Sequence, residues 1–593
     1  MRMWRLGSLV LTFLGIRSYA DAKCASSDRH HDFIIIGGGT AGVALAARLS
    51  QMLPSECILV IEAGPDGRNE QKIYVPGLRG TTLGSFYDWI LPTTPQSEAN
   101  GRSIVHNRGK VLVWNRASIE EYDAWEQLGN HGWNWKSMYP AMLKAENFQR
   151  RDGPAQYGED GVGYGGPIDT ALLEDPPLHM QACIPTLENI GVKQNLESLN
   201  GDNIGTMYQP ATNNLGNHTR SYAVDFLPSA SQNVAILFNS TVHKIILDAS
   251  TTRATGVLLV DGTEVKARKE VIVSAGTFLS PKVLELSGIG RKDILENAGI
   301  KQLIDLPGVG ENLQDHLRIQ TTYELRPDIL GLDVLKYNQT RAAIELDLWN
   351  RGKTSLYQYG GSCYGFLKWG QVLSNQTRLM ELAMQSANTS NVVDRRKLAF
   401  LRDADSKAPG LEIIFSDGYI GTRGYPANGT TGYGKQYATI LGGIMHPLAR
   451  GSVHINGSNP ATKPIIDPRF LGTPFDLEAT KESAKFLRKL SFTEPFKTVW
   501  ISEFDPGVDT DTDDEWEKYV RDNVYTFYHP LGTCAMLPKK DGGVVDPSLT
   551  VHGVRNLRVV DASIIPIIIS AHIQTAVYGI AERAAGMIAS QYL

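Results

Sequence analysis

"HDFIIIGGGTAGVALAARLSQ" (His31–Gln51) is the stretch that decides the fold of this chain. A short apolar run, Phe33–Ile36, meets a cluster of glycines, and apolar side chains then recur at helical spacing. This order predicts a strand, a tight turn and a helix. The next apolar run, "ECILVIEAG" (Glu56–Gly64), predicts a second strand that ends at Glu62. Together the two units predict half of a doubly wound α/β sheet.

The glycine cluster matches the dinucleotide-binding pattern G-x-G-x-x-G through three residues: Gly37, Gly39 and Gly42. The second glycine leaves room for a pyrophosphate, and the helix start at Thr40 and Ala41 stabilises its negative charge. Glu62 follows the last glycine by 20 residues, where a carboxylate can accept hydrogen bonds from an adenosine ribose. Because that carboxylate repels a 2′-phosphate, NADP is disfavoured. This element by itself does not distinguish between FAD and NAD as the cofactor.

Length, composition and charge limit the classes of protein to which this chain can belong. With 593 residues, 42% hydrophobic and 20% charged, the chain is long enough for a large two-part enzyme or several modules. The net charge of −5 and the absence of any basic block argue against a nucleic acid partner. Five scattered cysteines are too few for a metal site, so we expect none. They allow one or two disulfides and leave at least one thiol unpaired.

The N-terminus predicts a signal peptide over residues 1–22. Two early arginines precede the apolar run Leu6–Ile16, and small residues follow at Ala20 and Ala22. A run of about 11 residues is too short to span a bilayer, and no later apolar segment is long enough to do so, so we expect no membrane span. We predict a secreted or cell-wall glycoprotein, with the vacuole as the alternative destination. The N-glycosylation sequons lie at Asn217, Asn239, Asn338, Asn375, Asn388, Asn428 and Asn456.

The remaining chain predicts two discontinuous domains. Lys269–Gly290 again indicates strand, glycine turn and helix, and so does the C-terminal end from Asn556. The stretch between about Gln320 and Val524 has alternating strand-like runs and many turn residues, which is typical of a sheet-rich portion. The predicted fold class is therefore α/β combined with α+β. We assign 31–145, 220–320 and 525–593 to the nucleotide-binding domain and 146–219 and 321–524 to a substrate-binding domain.

Four further motifs follow the glycine cluster in order: "GTFLSPKVLELSGIG" (Gly276–Gly290), "LPGVGENLQDH" (Leu306–His316), "HPLGTCAM" (His529–Met536) and "NLRVVDASIIP" (Asn556–Pro566). In this order they resemble the glucose-methanol-choline oxidoreductases, from about Asp32 to the C-terminus. The secreted fungal aryl-alcohol oxidases and patulin synthases look most similar, partly through "AHIQTAVY" (Ala571–Tyr578). The resemblance implies FAD held noncovalently and an alcohol oxidised to a carbonyl.

The resemblance also implies roles for individual residues. The ADP half of FAD would be held by Gly37, Gly39, Gly42 and Glu62, with the backbone of Val242 on the adenine side. Asp561 and Ala562 would lie near the pyrophosphate and isoalloxazine, and Gln574 and Thr575 at the flavin pyrimidine.

Alcohol oxidation needs a neutral base beside the flavin. His529 matches the family's base, and Pro530 biases its backbone toward an extended conformation. His572 matches the partner that bonds the same oxygen, at the predicted start of the last helix, whose positive end favours a neutral imidazole. Four other histidines are more simply core or surface residues: His131, His316, His446 and His552.

One part of the family pattern is missing. Members usually read G-K-x-L-G-G-S-S and then a few residues before an aromatic and x-R-[GA]. Here Gly109–Leu112 match the left flank and Trp114–Ala117 the right, so about nine residues are absent between Leu112 and Val113. Such glycines and serines let backbone amides approach the flavin phosphates. The intact flanks favour a gene-model or splicing error, or a variant product, over gradual drift. If the cell makes this sequence, we predict weak FAD retention and low activity.

The sequence thus predicts a secreted FAD-dependent oxidase or dehydrogenase for a primary alcohol of aromatic or secondary-metabolite type. The last step of biosynthesis of the mycotoxin patulin is included in that class. Oxygen or a quinone would be the electron acceptor, and the chain would act as a monomer or homodimer. Three alternatives stay open: a sugar oxidase or dehydrogenase, a cyanohydrin lyase that keeps FAD without its redox chemistry, and an inactive variant.

Overall fold

The computed structural model describes residues 16–18, 24, 30–107, 114–150, 160–172, 176–358 and 362–593. The interrupted motif at Leu112 and Val113 lies outside the described residues, as does most of the predicted signal peptide. Two large sheets organise the described part, and the chain passes between them several times.

The first sheet has eight strands. They are Ile16–Ser18, His30–Ile36, Ile58–Ile61, Val234–Leu237, Val242–Asp248, Arg253–Leu259, Glu264–Val273 and Leu557–Val559. Its centre is parallel: His30–Ile36 lies between Ile58–Ile61 and Glu264–Val273. The portions Phe33–Ile36, Ile58–Ile61 and Val271–Val273 of these central strands are apolar and buried because helices cover both faces. The outermost strand, Ile16–Ser18, lies within the segment that we predict to be removed.

The second sheet has seven strands. They are Gly205–Tyr208, Leu317–Leu325, Cys363–Leu367, Leu411–Asp417, Tyr437–Ile444, Trp500–Asp505 and Tyr525–Thr526. Every pairing in it is antiparallel. One face packs on the helix Pro474–Ser491, with alternate residues such as Leu411 and Ile413 in the shared core. The opposite face is therefore available to the site described below.

α-Helices of at least six residues complete the two layers. They are Thr40–Met52, Ile119–Gln127, Trp135–Ala145, Cys183–Asn189, Ser280–Leu286, Lys292–Asn297, Gln339–Asn350, Thr377–Ser386, Val392–Arg402, Pro474–Ser491, Asp513–Asn523 and Gln574–Ala589. Short strand pairs also occur, namely Leu91–Pro92 with Val105–His106, Glu146–Phe148 with Ile168–Thr170, Ile289–Gly290 with Ile304–Asp305, and Ser452–His454 with Ile465–Asp467. Within the described ranges, no helix combines the length and apolar character needed to cross a bilayer.

In two places, the membership of the second sheet differs from the predicted domain boundaries. The strand Leu317–Leu325 crosses the boundary expected at residue 320, and Tyr525–Thr526 pairs with it in the second sheet although its range was assigned to the nucleotide-binding domain. The domain boundaries otherwise stay a prediction. Two disulfides, Cys24–Cys57 and Cys183–Cys363, leave Cys534 as a buried free thiol. The expectation of one or two bridges with an unpaired cysteine is confirmed.

Candidate active site

The two histidines singled out in the sequence meet inside the molecule. His529 follows the short strand Tyr525–Thr526, and His572 lies two residues before the helix Gln574–Ala589. Their ring centroids lie 4.3 Å apart and the ring planes are tilted by 57°. Both side chains are buried. The fold therefore brings together two imidazoles that reach the site from separate elements.

Contacts on three sides hold His529. Its backbone N–H donates to Asp315 at 3.0 Å, and its Nδ1 lies 2.9 Å from Nδ1 of His316. The ring of Phe527 stacks on it, with centroids 5.7 Å apart and planes 9° from parallel. Tyr528, just before it, has φ near 63°, so the chain turns sharply there. His529 is thus fixed in both position and direction.

Burial controls the charge of these groups. The pKa of His529 is held well below 6.5, first because burial disfavours the cation and then because His572 and His316 lie close. Burial also lowers the pKa of His316, followed by the nearby His446, His572 and Lys397. Burial raises the pKa of Asp315 to about 7, although Thr526 and the backbone of His529 donate to its carboxylate. His529 is therefore a neutral imidazole near pH 7, the form that can take a proton.

A carboxylate and an amide hold His572. Its Nε2 lies 3.0 Å from Oε1 of Glu412, and its backbone N–H donates to Oδ1 of Asn115 at 2.7 Å. Two residues earlier, the N–H of Ser570 donates to Glu121, which also contacts Nε2 of His446 at 2.9 Å. Nδ1 of His572 has no hydrogen-bond partner among the described residues, which leaves it available to a substrate.

An apolar wall stands beside the two imidazoles. The edge of the Tyr364 ring meets His572, with centroids 5.6 Å apart, and Phe527 contacts both histidines. These two rings belong to one buried apolar cluster, formed by Met207, Tyr364, Phe366, Ile414, Leu441, Met445 and Phe527. Most of its members come from the free face of the second sheet. The site is therefore lined by aromatic and aliphatic groups on this side.

The predicted nucleotide turn has the expected geometry. Gly37 has φ near 105°, and a Cβ at Gly42 would lie 2.0 Å from the carbonyl oxygen of Gly37, so strand and helix touch through bare backbone. A Cβ at Gly39 would meet nothing within 4 Å. Gly39 also leaves the helix that begins at Thr40 without a side-chain cap. Ala41 lies buried in the first turn of that helix. Uncapped N–H groups beside open space are suited to a pyrophosphate.

Glu62 lies at the edge of this turn. Its carboxylate accepts hydrogen bonds from the N–H of Gly38 and of Gly64, both at 2.7 Å. The N–H of Ser240 donates to the Glu62 backbone, which brings the segment leading to Val242 next to it. The placement agrees with a shared adenosine pocket, while contact of either residue with a ligand stays a prediction.

The C-terminal cofactor residues lie around the same turn. Asp561 accepts hydrogen bonds from the N–H of Gly276 at 2.9 Å and from the hydroxyl of Ser280 at 2.5 Å, so it ties the last strand to the preceding turn. Ala562 next to it is half-buried. Gln574 and Thr575 open the last helix, and the buried hydroxyl of Thr575 finds no partner in the part of the chain that the structure describes. An unpaired buried hydroxyl is a feature that a bound cofactor would satisfy.

Sequence reasoning missed four residues of this site. His316 is buried, as expected of a core residue, and it also contacts His529 directly, which the sequence did not indicate. His316 and Asp315 lie in the quoted motif "LPGVGENLQDH", and Asn115 lies in the right flank of the interrupted motif, so these three had a local signal. Glu412 lies in a strand with no motif, and only the fold places it near His572. Of the other histidines, His131 is exposed and His552 contacts the carbonyl of Leu537.

Comparison with known proteins identifies the class. Two family models described as GMC oxidoreductase match residues 31–318 and 447–581. A "GMC oxidoreductase family protein Mala s 12" from Malassezia sympodialis is 33% identical over 99% of this chain and 98% of its own length. "Pyranose dehydrogenase 3" from Leucoagaricus meleagris is 30% identical over 98% of this chain and 96% of its own.

Solved structures agree with these relatives. An FAD-dependent oxidoreductase from Chaetomium thermophilum has a TM-score of 0.84 at 28% identity, covering 95% of this chain and 99% of that one. A fungal aryl-alcohol oxidase has a TM-score of 0.80 at 25% identity over 95% and 99%. This chain belongs to the GMC oxidoreductase family, as the sequence motifs predicted, and has its mixed α/β fold. It is an FAD-dependent alcohol oxidoreductase, and the open glycine turn and the unpaired Thr575 hydroxyl fit that cofactor.

Proposed function

We propose that this enzyme oxidises a primary alcohol carried by an aromatic or similarly apolar molecule. The observation that carries the proposal is the apolar wall beside the two imidazoles. A substrate carbon held against Tyr364 and Phe527 would be an apolar or aromatic one, since a polyol would lose its water-bonded hydroxyls there without replacement. Secondary-metabolite alcohols, including the precursor oxidised to patulin, belong to the same chemical class.

Two histidines of the chain act on the hydroxyl group of the alcohol. The neutral imidazole of His529 takes the hydroxyl proton of the alcohol. His572, whose Nδ1 has no partner among the described residues and whose Nε2 faces Glu412, would bond to the same oxygen and orient it. The wall excludes water, which strengthens these polar contacts. When bound, FAD supplies the hydride acceptor and is reoxidised by oxygen or a quinone.

Anaerobic flavin reduction tests the reaction and its substrate class. We expect 4-methoxybenzyl alcohol and benzyl alcohol to bleach the flavin absorbance faster than glucose or glycerol at equal concentration. Faster bleaching by sugars would contradict the proposal and identify a sugar oxidase or dehydrogenase instead. The 30% identity to a pyranose dehydrogenase favours that alternative. Cleavage of mandelonitrile with no bleaching by any alcohol would instead identify a cyanohydrin lyase. Reoxidation by air against benzoquinone separates an oxidase from a dehydrogenase.

We also propose that the chain passes through the secretory pathway. All seven sequon asparagines are exposed: Asn217, Asn239, Asn338, Asn375, Asn388, Asn428 and Asn456. Two disulfides also favour an oxidising compartment. In a fungal host we expect the protein in the medium or cell wall, with its N-terminus near residue 23 and a mass that falls on deglycosylation. Size-exclusion chromatography with light scattering decides between monomer and homodimer. An unglycosylated protein retained in the cytosol would contradict secretion.

A further inference from the structure

The imidazole of His316 contacts that of His529. Nδ1 of His529 lies 2.9 Å from Nδ1 of His316, and the two ring planes are nearly perpendicular, at 88°. The pKa values of both side chains are lowered well below 6.5 by burial, so both rings are neutral near pH 7. Between two neutral imidazoles, one Nδ1 must carry the hydrogen and the other must accept it.

The direction of this hydrogen bond decides whether His529 can act. The contact with His316 occupies Nδ1 of His529, which leaves Nε2 as the nitrogen that can face a substrate. If His529 donates through Nδ1, its Nε2 has a lone pair and can take a proton. If His316 donates instead, Nε2 of His529 carries the hydrogen and has no lone pair to offer.

The surroundings of His316 favour the productive direction. Its Nε2 has no partner at normal hydrogen-bond distance within the described ranges, so no donor group holds a lone pair there. The backbone of Met445 acts to raise the pKa of His316, which means that it favours a hydrogen on that ring. A hydrogen on Nε2 of His316 leaves its Nδ1 free to accept from His529.

We propose that His316 is a positioning residue that accepts the Nδ1 hydrogen of His529 and so keeps Nε2 of His529 free for the substrate's hydroxyl proton. This inference rests on the proposed function for its substrate. In the step, the O–H bond of the alcohol breaks and its proton goes to Nε2. His529 becomes an imidazolium whose Nδ1 hydrogen stays bonded to His316, and bound FAD would supply the acceptor for the hydride from the alcohol's carbon.

Two amides of different length test the proposal. His316→Asn places a carbonyl oxygen where Nδ1 lies, whereas His316→Gln places it near Nε2 and leaves the Nδ1 hydrogen of His529 without an acceptor. We expect His316→Asn to keep kcat within about fivefold of the parent, and His316→Gln and His316→Leu to lose about a hundredfold with a smaller change in KM. His179→Gln, which replaces a buried histidine paired with Asp417, is the matched control for the cost of burying an amide.

A spectroscopic readout makes the test independent of turnover. In protein labelled with ¹⁵N-histidine, the signals of His529, assigned by their loss in His529→Asn, should report hydrogen on Nδ1 in the parent and a shift of the hydrogen to Nε2 in His316→Leu. Equal kcat in all three His316 variants, or hydrogen on Nε2 of His529 in the parent, would overturn the proposal. If no alcohol bleaches the flavin, the proposed function fails, while the NMR result still decides the role of His316.

Discussion

The rings of His529 and His572 lie 4.3 Å apart, yet their polar partners differ in kind. His529 is held by a neutral imidazole, His316, whereas His572 is held by the carboxylate of Glu412. A carboxylate accepts a hydrogen bond from the imidazole nitrogen beside it, whereas a neutral imidazole can either donate or accept. This asymmetry supports the proposed roles, in which His529 accepts the proton and His572 orients the oxygen.

Removal of the base tests this assignment. We expect His529→Asn to lower the rate of anaerobic flavin reduction by a benzylic alcohol by about 10²- to 10⁴-fold, because the alcohol loses its proton acceptor. Flavin content, measured by absorbance, should stay at the parent level. His131→Asn, at an exposed histidine, is the matched control and should reduce the flavin at the parent rate. A His529→Asn enzyme as fast as the parent would refute the role of His529.

The pH profile follows from the lowered pKa of His529. A base works in its neutral form, so activity persists as pH falls and is lost only when pH passes below that pKa. We therefore expect the acid limb of kcat/KM for benzyl alcohol to lie below pH 6.5.

Asp315 supplies the control for this profile, because its pKa is raised to about 7. A limb caused by Asp315 would lie near pH 7 and would vanish in Asp315→Asn, whereas a limb caused by His529 would persist. An acid limb above pH 6.5 that survives in Asp315→Asn would contradict the assignment to His529.

The apolar wall depends on a glycine. A Cβ at Gly443 would lie 2.3 Å from Cε2 of Phe527, the ring that stacks on His529. We expect Gly443→Ala to displace Phe527 and to lower kcat/KM for aromatic alcohols by about tenfold to a hundredfold. In the control variant Gly586→Ala, the added Cβ meets nothing within 4 Å on a helix, so activity should not change. Unchanged kcat/KM in Gly443→Ala would show that Phe527 is free to move.

The disulfides should contribute unequally to stability. Cys183–Cys363 joins residues 180 apart, whereas Cys24–Cys57 joins residues 33 apart. In the chain-entropy model, the longer loop restricts the unfolded chain more, so its removal should lower the free energy of unfolding by about 1–2 kcal/mol more. Thermal unfolding of Cys183→Ser/Cys363→Ser and of Cys24→Ser/Cys57→Ser measures this difference. Equal loss in both double variants would contradict the entropic account.

The interrupted motif predicts incomplete flavin binding. We expect the protein without any insertion to be purified with less than one FAD per molecule. Insertion of about nine residues containing Gly-Gly-Ser-Ser between Leu112 and Val113 should raise that ratio, because it restores backbone donors to the phosphates. An alanine-rich insertion of equal length is the control for restored chain length alone. Full flavin occupancy and normal turnover of the chain as written would refute this prediction.

The candidate site could be predicted only in part. His529 and His572 were found because each lies in a motif that carries the family resemblance, and the glycine turn was found because its spacing has a direct steric reason. Glu412 could not be found. A glutamate in an apolar strand is compatible with many structures, and its contact with His572 exists only because the second sheet faces the last helix.

The sequence by itself determined the strand, turn and helix of the nucleotide site and the order of the family motifs, because these depend on residues close together in the chain. Only the tertiary structure decided which groups hold the two imidazoles. His316, Glu412 and Asn115 come from three distant segments, and hydrogen bonds and burial act through space. The charge of His529 was likewise decided by packing, since exclusion of water is what keeps its imidazole neutral.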